Sequence, residues 1–156
     1  MKVAKQSVIV LTTFFLLSCV VQAQTAQKSA TAEELEKAKA RVERASERDR
    51  CYENVEVVRA LVEIANEQFG AGDADQAQKT VKEAVTYADR AKEAAQHSGH
   101  KLKQAEITLR KAQRRLDDLR HTLAFEDQEP VEAALKQIET DRQEILRQVM
   151  LHCGAW

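Results

Sequence analysis

The chain has 156 residues and a formal net charge of −1, with 24 Lys and Arg against 25 Asp and Glu. This balanced charge argues against nucleic acid as a partner. Ala, Glu, Lys, Arg, Leu and Gln dominate the sequence, and no run alternates apolar with polar residues as a strand does. The composition therefore predicts an all-α protein with one domain large enough for a hydrophobic core.

The first 23 residues have the pattern of a signal peptide. Two lysines precede the uncharged run VIVLTTFFLLSCVV (residues 8–21), which is too short to span a bilayer comfortably. Val21 and Ala23 are small residues at the positions that an ordinary signal peptidase recognises. Cleavage after Ala23 removes both lysines, takes the charge from −1 to −3 and predicts export to the bacterial periplasm or cell envelope.

A second interpretation of the same segment makes the protein a lipoprotein. Leu16-Leu17-Ser18-Cys19 resembles a bacterial lipobox, in which Cys19 receives a diacylglycerol and becomes the first residue. Both interpretations place the rest of the chain outside the cytoplasmic membrane. Residues 24–31 (QTAQKSAT) are small and polar, which predicts a flexible tether before a helical domain over 32–150.

Two cysteines remain after the signal peptide, Cys51 and Cys153. An even pair in an oxidising compartment favours a disulfide. It would close a loop of about 100 residues, for which the chain-entropy account gives roughly 4–5 kcal/mol. The alternative is a buried thiol at Cys51 and a loose thiol in the C-terminal tail, 151–156.

The first helix is expected to begin at Thr31, because Glu34 three positions later completes a capping box. Small and apolar residues then recur at steps of three and four as far as Phe69, so they form one helical stripe. The part before residue 50 is rich in charge and poor in apolar residues, and we expect it to project or fray.

The sequence FGAGDADQA predicts a tight turn between two helices. Gly70 and Gly72 can adopt the left-handed conformation that ends a helix. Asp73, followed by Gln76, has the pattern of an N-cap. The helix that follows carries mostly alanine on its apolar side, so a neighbouring helix can approach closely.

The run ALVEIANEQFGAGDADQAQKTVKEAVTYA resembles one tetratricopeptide-type helical hairpin. It is also similar to the single G-D-turn hairpins of exported bacterial proteins of unknown function. The resemblance covers about 40 residues, lacks the first-helix Trp and the final Pro, and has no second copy at a period of about 34. The resemblance implies a protein-interaction scaffold and no particular reaction.

Two architectures remain open at AQHSGHK. A turn at Gly99 gives an antiparallel up-and-down bundle of four helices, and a 51–153 disulfide favours it. A continuous heptad pattern instead gives three helices, with one long helix over 73–124. The last helix is expected to begin near Pro130, which is tolerated in a first turn.

The third helix is basic, with a net charge of +4 over residues 100–121. Its predicted outer face carries four cations: Lys103, Arg110, Lys111 and Arg114. This candidate anion-binding stripe suits acidic proteins, phospholipid headgroups or cell-wall polymer. The alternative is a solvated face that complements the acidic neighbouring helices through weak surface pairs.

We expect no catalytic residue, metal site or cofactor. The four histidines, His97, His100, His121 and His152, have no metal-ligand spacing, and no H-E-x-x-H or C-x-x-C motif is present. The sequence therefore predicts a non-enzymatic exported scaffold or protein-interaction module. The alternative is a lipoprotein anchored at Cys19 that uses the basic stripe for peripheral membrane association. The regular heptads of the third helix also allow a coiled-coil homo-oligomer.

Overall fold

The structure is a computed structural model that describes residues 32–153. Its regular structure in that range is entirely helical, which confirms the all-α prediction. The described residues form five helices, not four: α1 (32–44), α2 (Arg50–Gly70), α3 (Ala74–Ala95), α4 (Leu102–Arg120) and α5 (Phe125–Cys153). The predicted signal peptide, Cys19, the tether and Thr31 lie outside the described residues.

None of the helices within 32–153 combines the length and apolar character that a membrane crossing requires.

The single helix predicted from 31 to 69 is wrong, because a turn at 45–49 separates α1 from α2. The turn contains neither Gly nor Pro. It is held by Ser46, whose hydroxyl donates to the Asp49 carboxylate at 3.0 Å and whose carbonyl accepts from Arg50 N at 3.1 Å. Ser and Asp compete with helical backbone bonding in this way.

The expectation that α1 projects or frays is also wrong, because α1 packs against the next two helices. Ala38 is buried, and Leu35 and Val42 pack against the core. Lys39 pairs with Glu83 of α3 at 2.8 Å, and Arg41 pairs with Glu53 of α2 at 2.9 Å. The small side chain of Ala38 lets α1 approach α2 and α3 closely, although α1 has few large apolar residues.

The turn between α2 and α3 is as predicted. Gly72 has a φ of +79°, which is the left-handed conformation that Gly adopts without a steric cost. The Asp73 side chain accepts a hydrogen bond from Gln76 N at 3.3 Å and caps α3.

A second turn separates α3 from α4, so the alternative of one long helix over 73–124 is wrong. Ser98 is buried and donates to the carbonyl of Arg48 at 2.5 Å, which ties this turn to the one before α2. The left-handed residue is Lys101, with a φ of 56°, rather than Gly99. Gly99 lies close to the end of α5, because a Cβ there would lie 2.7 Å from His152 Cδ2 and the His152 ring would have to shift.

α5 begins earlier and ends later than the sequence predicts. It starts at Phe125, so Pro130 lies within the helix rather than at its start. It continues to Cys153, so residues 151–153 of the predicted tail are helical.

The helices form two hairpins, α2–α3 and α4–α5, that stack side by side. The extensive contacts join α2 with α3, α3 with α5, α5 with α4 and α4 with α2. Between α3 and α5, Gln78 bonds Asp127 and Lys92 bonds Asp141, and both pairs are 49 residues apart. A constant separation means that these two helices run parallel. Consecutive helices α3 and α4 therefore lie at diagonal corners.

The core runs through both hairpins. Five of the buried positions of α5 (Val131, Ala134, Ile138, Asp141, Ile145) follow the same intervals as five of those of α3 (Val81, Ala84, Ala88, Ala91, Ala95). Fully buried large side chains contribute about 1.5–3 kcal/mol each, and they include Leu61, Leu109, Leu116, Ile138 and Ile145.

Candidate functional site

A cleft of about 500 Å³ opens where α1 ends, α2 begins and α3 ends. This volume lies within the range of roughly 300–1,000 Å³ that is typical of small-molecule sites. Its walls are formed by Val42, Glu43, Glu47, Arg50, Asn54, Arg90, Glu93, Ala94 and His97. The turn at 45–49, which sequence periodicity does not reveal, creates the cleft by bringing the end of α1 beside the start of α2.

Five charged side chains line this cleft, three of them carboxylates and two of them guanidinium groups. None forms an ion pair within 4 Å with another described residue. Arg90 lies over the ring of Tyr87, 4.9 Å from its centroid, which holds the guanidinium at the rim. The cleft therefore presents unpaired charge of both signs.

Asn54 lies in the wall of the cleft and is only 4% exposed. Its Nδ2 donates to the carbonyl of Arg50 at 2.7 Å. Its Oδ1 is buried and accepts no hydrogen bond from any described residue. Rotating the amide by half a turn would bring Oδ1 against the Arg50 carbonyl oxygen, so the network fixes the orientation. An unsatisfied buried acceptor costs about 1–3 kcal/mol.

The helix ends add a negative field to the cleft. α1 and α3 end beside it, whereas only α2 begins there. A helix C-terminus carries roughly half a negative charge, and an N-terminus the same amount of positive charge. Together with three carboxylates against two guanidinium groups, these ends favour a cationic group inside the cleft.

The candidate anion-binding stripe lies on the exposed face of α4. Lys103, Arg110, Lys111 and Arg114 are all exposed. Arg110 pairs with Glu106 at 3.3 Å. The other three form no ion pair with a described residue, so they present free positive charge to solvent.

A polar network joins α4 to α5 beneath the stripe. Arg142 of α5 lies 2.8 Å from both Glu106 of α4 and Glu139 of its own helix. Gln113 of α4 donates to Glu139 at 2.6 Å, and the pKa of Glu139 is lowered chiefly by its hydrogen bond from Arg142. Glu106 also pairs with Arg110, so the network holds the side chain in the middle of the stripe. In the pair that crosses between the helices, the carboxylate (Glu106) comes from the basic helix and the guanidinium group (Arg142) comes from the acidic one.

The one carboxylate with no exposed surface among the described residues lies between the two hairpins. Asp141 of α5 is 0% exposed, and its Oδ1 accepts from Lys92 Nζ of α3 at 2.9 Å. Burial raises the pKa of Asp141, and hydrogen bonds to Asp141 and Asp89 raise the pKa of Lys92. The sequence could have revealed this buried carboxylate, because Asp141 occupies a position in the last helix at which the helical periodicity predicts an apolar core residue.

Cys51 is a free thiol in the structure, so the predicted disulfide with Cys153 is absent there. Cys51 is fully buried, and burial raises its pKa to about 12. The physical reason lies in the packing order. Cys51 belongs to α2 and Cys153 to α5, which occupy diagonal corners of the stack. The side chain of Cys153 lies outside the described part of the chain.

The histidines are placed separately. His97 lines the cleft, and His100 Nδ1 lies 2.9 Å from an Asp49 carboxylate oxygen. His121 lies at the end of α4, and His152 Nδ1 lies 2.8 Å from the carbonyl of Gln148. Residues 32–153 contain no group of three or more metal-ligating side chains in reach of one ion.

Comparisons with protein-family models, with curated proteins and with solved structures returned no match. The similarity of the α2–α3 hairpin to tetratricopeptide-type hairpins therefore stays a prediction. The functional argument rests on this chain's own residues, in the cleft and on the stripe.

Proposed function

We propose that this chain is a non-enzymatic helical scaffold of the bacterial cell envelope that binds acidic protein partners. The observation that carries the proposal is the exposed face of α4. Lys103, Lys111 and Arg114 form no ion pair with any described residue there. Unpaired cations along one helix create a positive field that attracts acidic partners and speeds their association.

The arrangement of hairpins supports the same proposal. Scaffolds built from helical hairpins stack the pairs side by side, and each pair packs on its neighbour. The parallel contacts of α3 with α5, and of Glu63 on α2 with Arg115 on α4, have this form. In this view α2–α5 are two antiparallel tetratricopeptide-like hairpins stacked side by side, with the stripe on the second hairpin.

In-cell photo-crosslinking tests the proposal. A photoreactive residue at Gln104, which is exposed beside Lys103, is expected to capture one acidic envelope protein. The adduct is expected to disappear when Lys103, Arg110, Lys111 and Arg114 are all changed to Gln. A photoreactive residue at the exposed Lys82 of α3 is the matched control. An adduct that survives the four substitutions would contradict the proposal.

The second candidate is an anchored lipoprotein that holds the envelope surface through the same stripe. The sequence LLSC at residues 16–19 favours it, because such a motif precedes a lipid-modified cysteine. The intact mass of the mature protein from membrane and soluble fractions separates the two candidates. A mass that begins at a lipid-modified Cys19 supports the anchor, and a mass that begins at Gln24 supports the free scaffold.

Sedimentation with anionic phospholipid vesicles at low salt tests the surface interaction. A lipoprotein that uses the stripe is expected to lose most of this binding when the four cations are changed to Gln, because each basic residue near an anionic surface contributes about 1 kcal/mol. Equal sedimentation of the unchanged protein and the four-Gln variant would contradict the second candidate.

A further inference from the structure

We propose that α1 is exchanged between two copies of this chain in a domain-swapped dimer. In the dimer, α1 of each copy lies on the α2–α3 hairpin of the other copy. The turn at 45–49 becomes helical there, so that α1 and α2 form one continuous helix. The interaction surface is the face of α2 and α3 that α1 covers in the monomer. This inference goes beyond the proposed scaffold function and uses no residue of the stripe.

The surface under α1 is complementary to α1 itself. Ala38 is buried there, and Lys39 pairs with Glu83 of α3 at 2.8 Å. Arg41 pairs with Glu53 of α2 at 2.9 Å. A second copy carries the same helix, so exchange forms each of these contacts again between copies. Swapping an identical element is a low-cost route to a dimer, and the balance then depends on the turn and on protein concentration.

The backbone of the turn is close to helical. Its sequence, ASERD at residues 45–49, contains neither Gly nor Pro. Asp49 has right-handed helical angles, with a φ of −99° and a ψ of −14°. The amide of Arg50 donates to the Ser46 carbonyl at 3.1 Å, which is the i to i−4 spacing of an α-helix. The turn therefore needs only a local change of backbone angles to become part of a helix.

The apolar positions of α1 and α2 stay in phase across the turn. The interval from Ala45 to Tyr52 is seven residues, which is two helical turns. In a continuous helix, the apolar residues of α1 therefore lie on the same side as those that α2 buries, and a second copy is needed to cover them.

The closed turn leaves charges and a helix end unsatisfied. Arg44, Glu47 and Arg50 form no ion pair with another described residue. In a continuous helix Glu47 lies three residues from both arginines, a spacing at which helical side chains pair. α2 begins without a side-chain cap, whereas a continuous helix has no end there. The cleft of about 500 Å³ beside the turn leaves the end of α1 incompletely packed.

Side chains of the α3–α4 turn hold the closed form. The Asp49 carboxylate lies 2.9 Å from His100 Nδ1 and 3.3 Å from Lys101 Nζ. It also accepts from the Ser46 hydroxyl at 3.0 Å. These contacts favour the monomer, so their removal shifts the balance towards the dimer.

Light scattering after size-exclusion chromatography, on mature protein refolded from urea at high concentration, measures this balance. Asp49→Ala removes the contacts of the closed turn and introduces the strongest helix former. It is expected to raise the association constant of the dimer about tenfold. Asp118→Ala is the matched control, because Asp118 is exposed at the opposite end of α4, and it is expected to leave the constant unchanged.

Glu47→Pro favours the turn and prevents the continuous helix. The Asp49 amide donates to the Ser46 carbonyl at 3.0 Å, so Glu47 is the second residue of a β-turn, where proline is favoured. Inside a helix the same proline removes a hydrogen bond and clashes with the preceding turn. Glu47→Pro is expected to keep or raise Tm and to lower the association constant at least about a hundredfold.

Cross-linking identifies the exchanged helix. One copy with Lys39→Cys and another with Glu83→Cys, both in a Cys153→Ser background, are refolded together and treated with a short bismaleimide. A linked peptide pair that joins positions 39 and 83 comes from two copies and is expected in the dimer fraction only.

Three results would overturn the proposal. They are a protein that stays monomeric in Asp49→Ala at every concentration, a dimer that persists in Glu47→Pro, and a dimer without the link between positions 39 and 83. Changing the four cations of the stripe to Gln is expected to leave the dimer intact, so this proposal and the proposed function fail independently.

Discussion

Lys92 Nζ lies 2.9 Å from the carboxylate of Asp141, a side chain with no exposed surface. The pair joins α3 to α5 and so connects the first hairpin to the second. Gln137 also donates to Asp141 Oδ1 at 3.2 Å, whereas Oδ2 is buried without a partner. A charged residue thus occupies a core position, where the equivalent position of α3 carries Ala91.

Lys92→Met is expected to destabilise the protein by about 3 kcal/mol, because it leaves a buried carboxylate without its counter-charge. Urea unfolding at neutral pH measures this change. The double variant Lys92→Met, Asp141→Leu is expected to return to within about 1 kcal/mol of the unchanged protein, since apolar pairs replace buried ion pairs well.

The matched control for this pair is Lys136→Met. Lys136 pairs with Glu132 at 3.0 Å, but the two side chains are 75% and 50% exposed. Exposed pairs contribute little, so the free energy of unfolding is expected to change by less than about 0.5 kcal/mol. Equal losses in Lys92→Met and Lys136→Met would show that Asp141 is not buried as described.

The stability of the protein relative to Asp141→Asn is expected to depend on pH. Burial raises the native pKa of Asp141 above its ordinary value, so the folded state holds this proton more strongly than the unfolded state. The stability that Asp141 contributes is therefore full below about pH 4 and is lost as pH rises through the raised pKa. Urea unfolding of both proteins from about pH 3 to about pH 7 measures the difference.

Glu139→Gln gives a control with the opposite sign. The hydrogen bond from Arg142 lowers the pKa of Glu139, so its contribution is present above the ordinary carboxyl range and lost as pH falls. As pH rises, the free energy of unfolding of the unchanged protein should fall relative to that of Asp141→Asn. It should rise relative to that of Glu139→Gln. If both differences in the free energy of unfolding change in the same direction with pH, the opposite pKa shifts of Asp141 and Glu139 are refuted.

Gly99→Ala is expected to destabilise the protein by at most about 1 kcal/mol, because the exposed His152 ring must shift to make room for the new Cβ. The new Cβ would lie 2.7 Å from His152 Cδ2, and the His152 ring is held by its contact with the Gln148 carbonyl. The double variant Gly99→Ala, His152→Ala is expected to recover the loss. If the double variant is no more stable than Gly99→Ala, the turn and the end of α5 are not in contact.

Cys51 is expected to resist alkylation in the folded protein. A pKa of about 12 leaves roughly one thiol in ten thousand ionised at pH 8, and the side chain is fully buried. Iodoacetamide followed by peptide mass mapping should show Cys51 unmodified in buffer and modified in urea. A disulfide-linked peptide pair containing Cys51 and Cys153 in a non-reducing digest would contradict the free thiol.

The sequence predicts well what depends on neighbouring residues. The α2–α3 turn follows from Gly72 and Asp73, because a left-handed glycine and an N-cap act within four residues. The exposure of Lys103 and Arg114 follows from helical periodicity, since Leu102 and Ala105 define the buried side of α4.

What the sequence cannot predict depends on which helices meet. Periodicity identifies a buried face but not its neighbour, so the diagonal placement of α3 and α4 was not accessible, nor was the separation of Cys51 from α5. The turn before α2 has no Gly or Pro to mark it. The cleft follows from that turn, and its only local signal is Asn54 beside the buried Val55.

The stacking of α2 against α4 is the central claim, because the placement of the stripe on the second hairpin depends on it. Glu63 of α2 and Arg115 of α4 lie 3.5 Å apart at their charged atoms. We would join cysteines at these two positions with a short bismaleimide, in a Cys153→Ser background, and map the linked peptides by mass. Glu63→Cys with Lys136→Cys on the diagonal helix α5 is the control pair.

The account predicts a link between positions 63 and 115 and none between positions 63 and 136. A link from 63 to 136 without one from 63 to 115 would mean that α2 lies beside α5 and that the helices follow one another around the bundle. That result would contradict the stacked hairpins and, with them, the placement of the surface on which the proposed function rests.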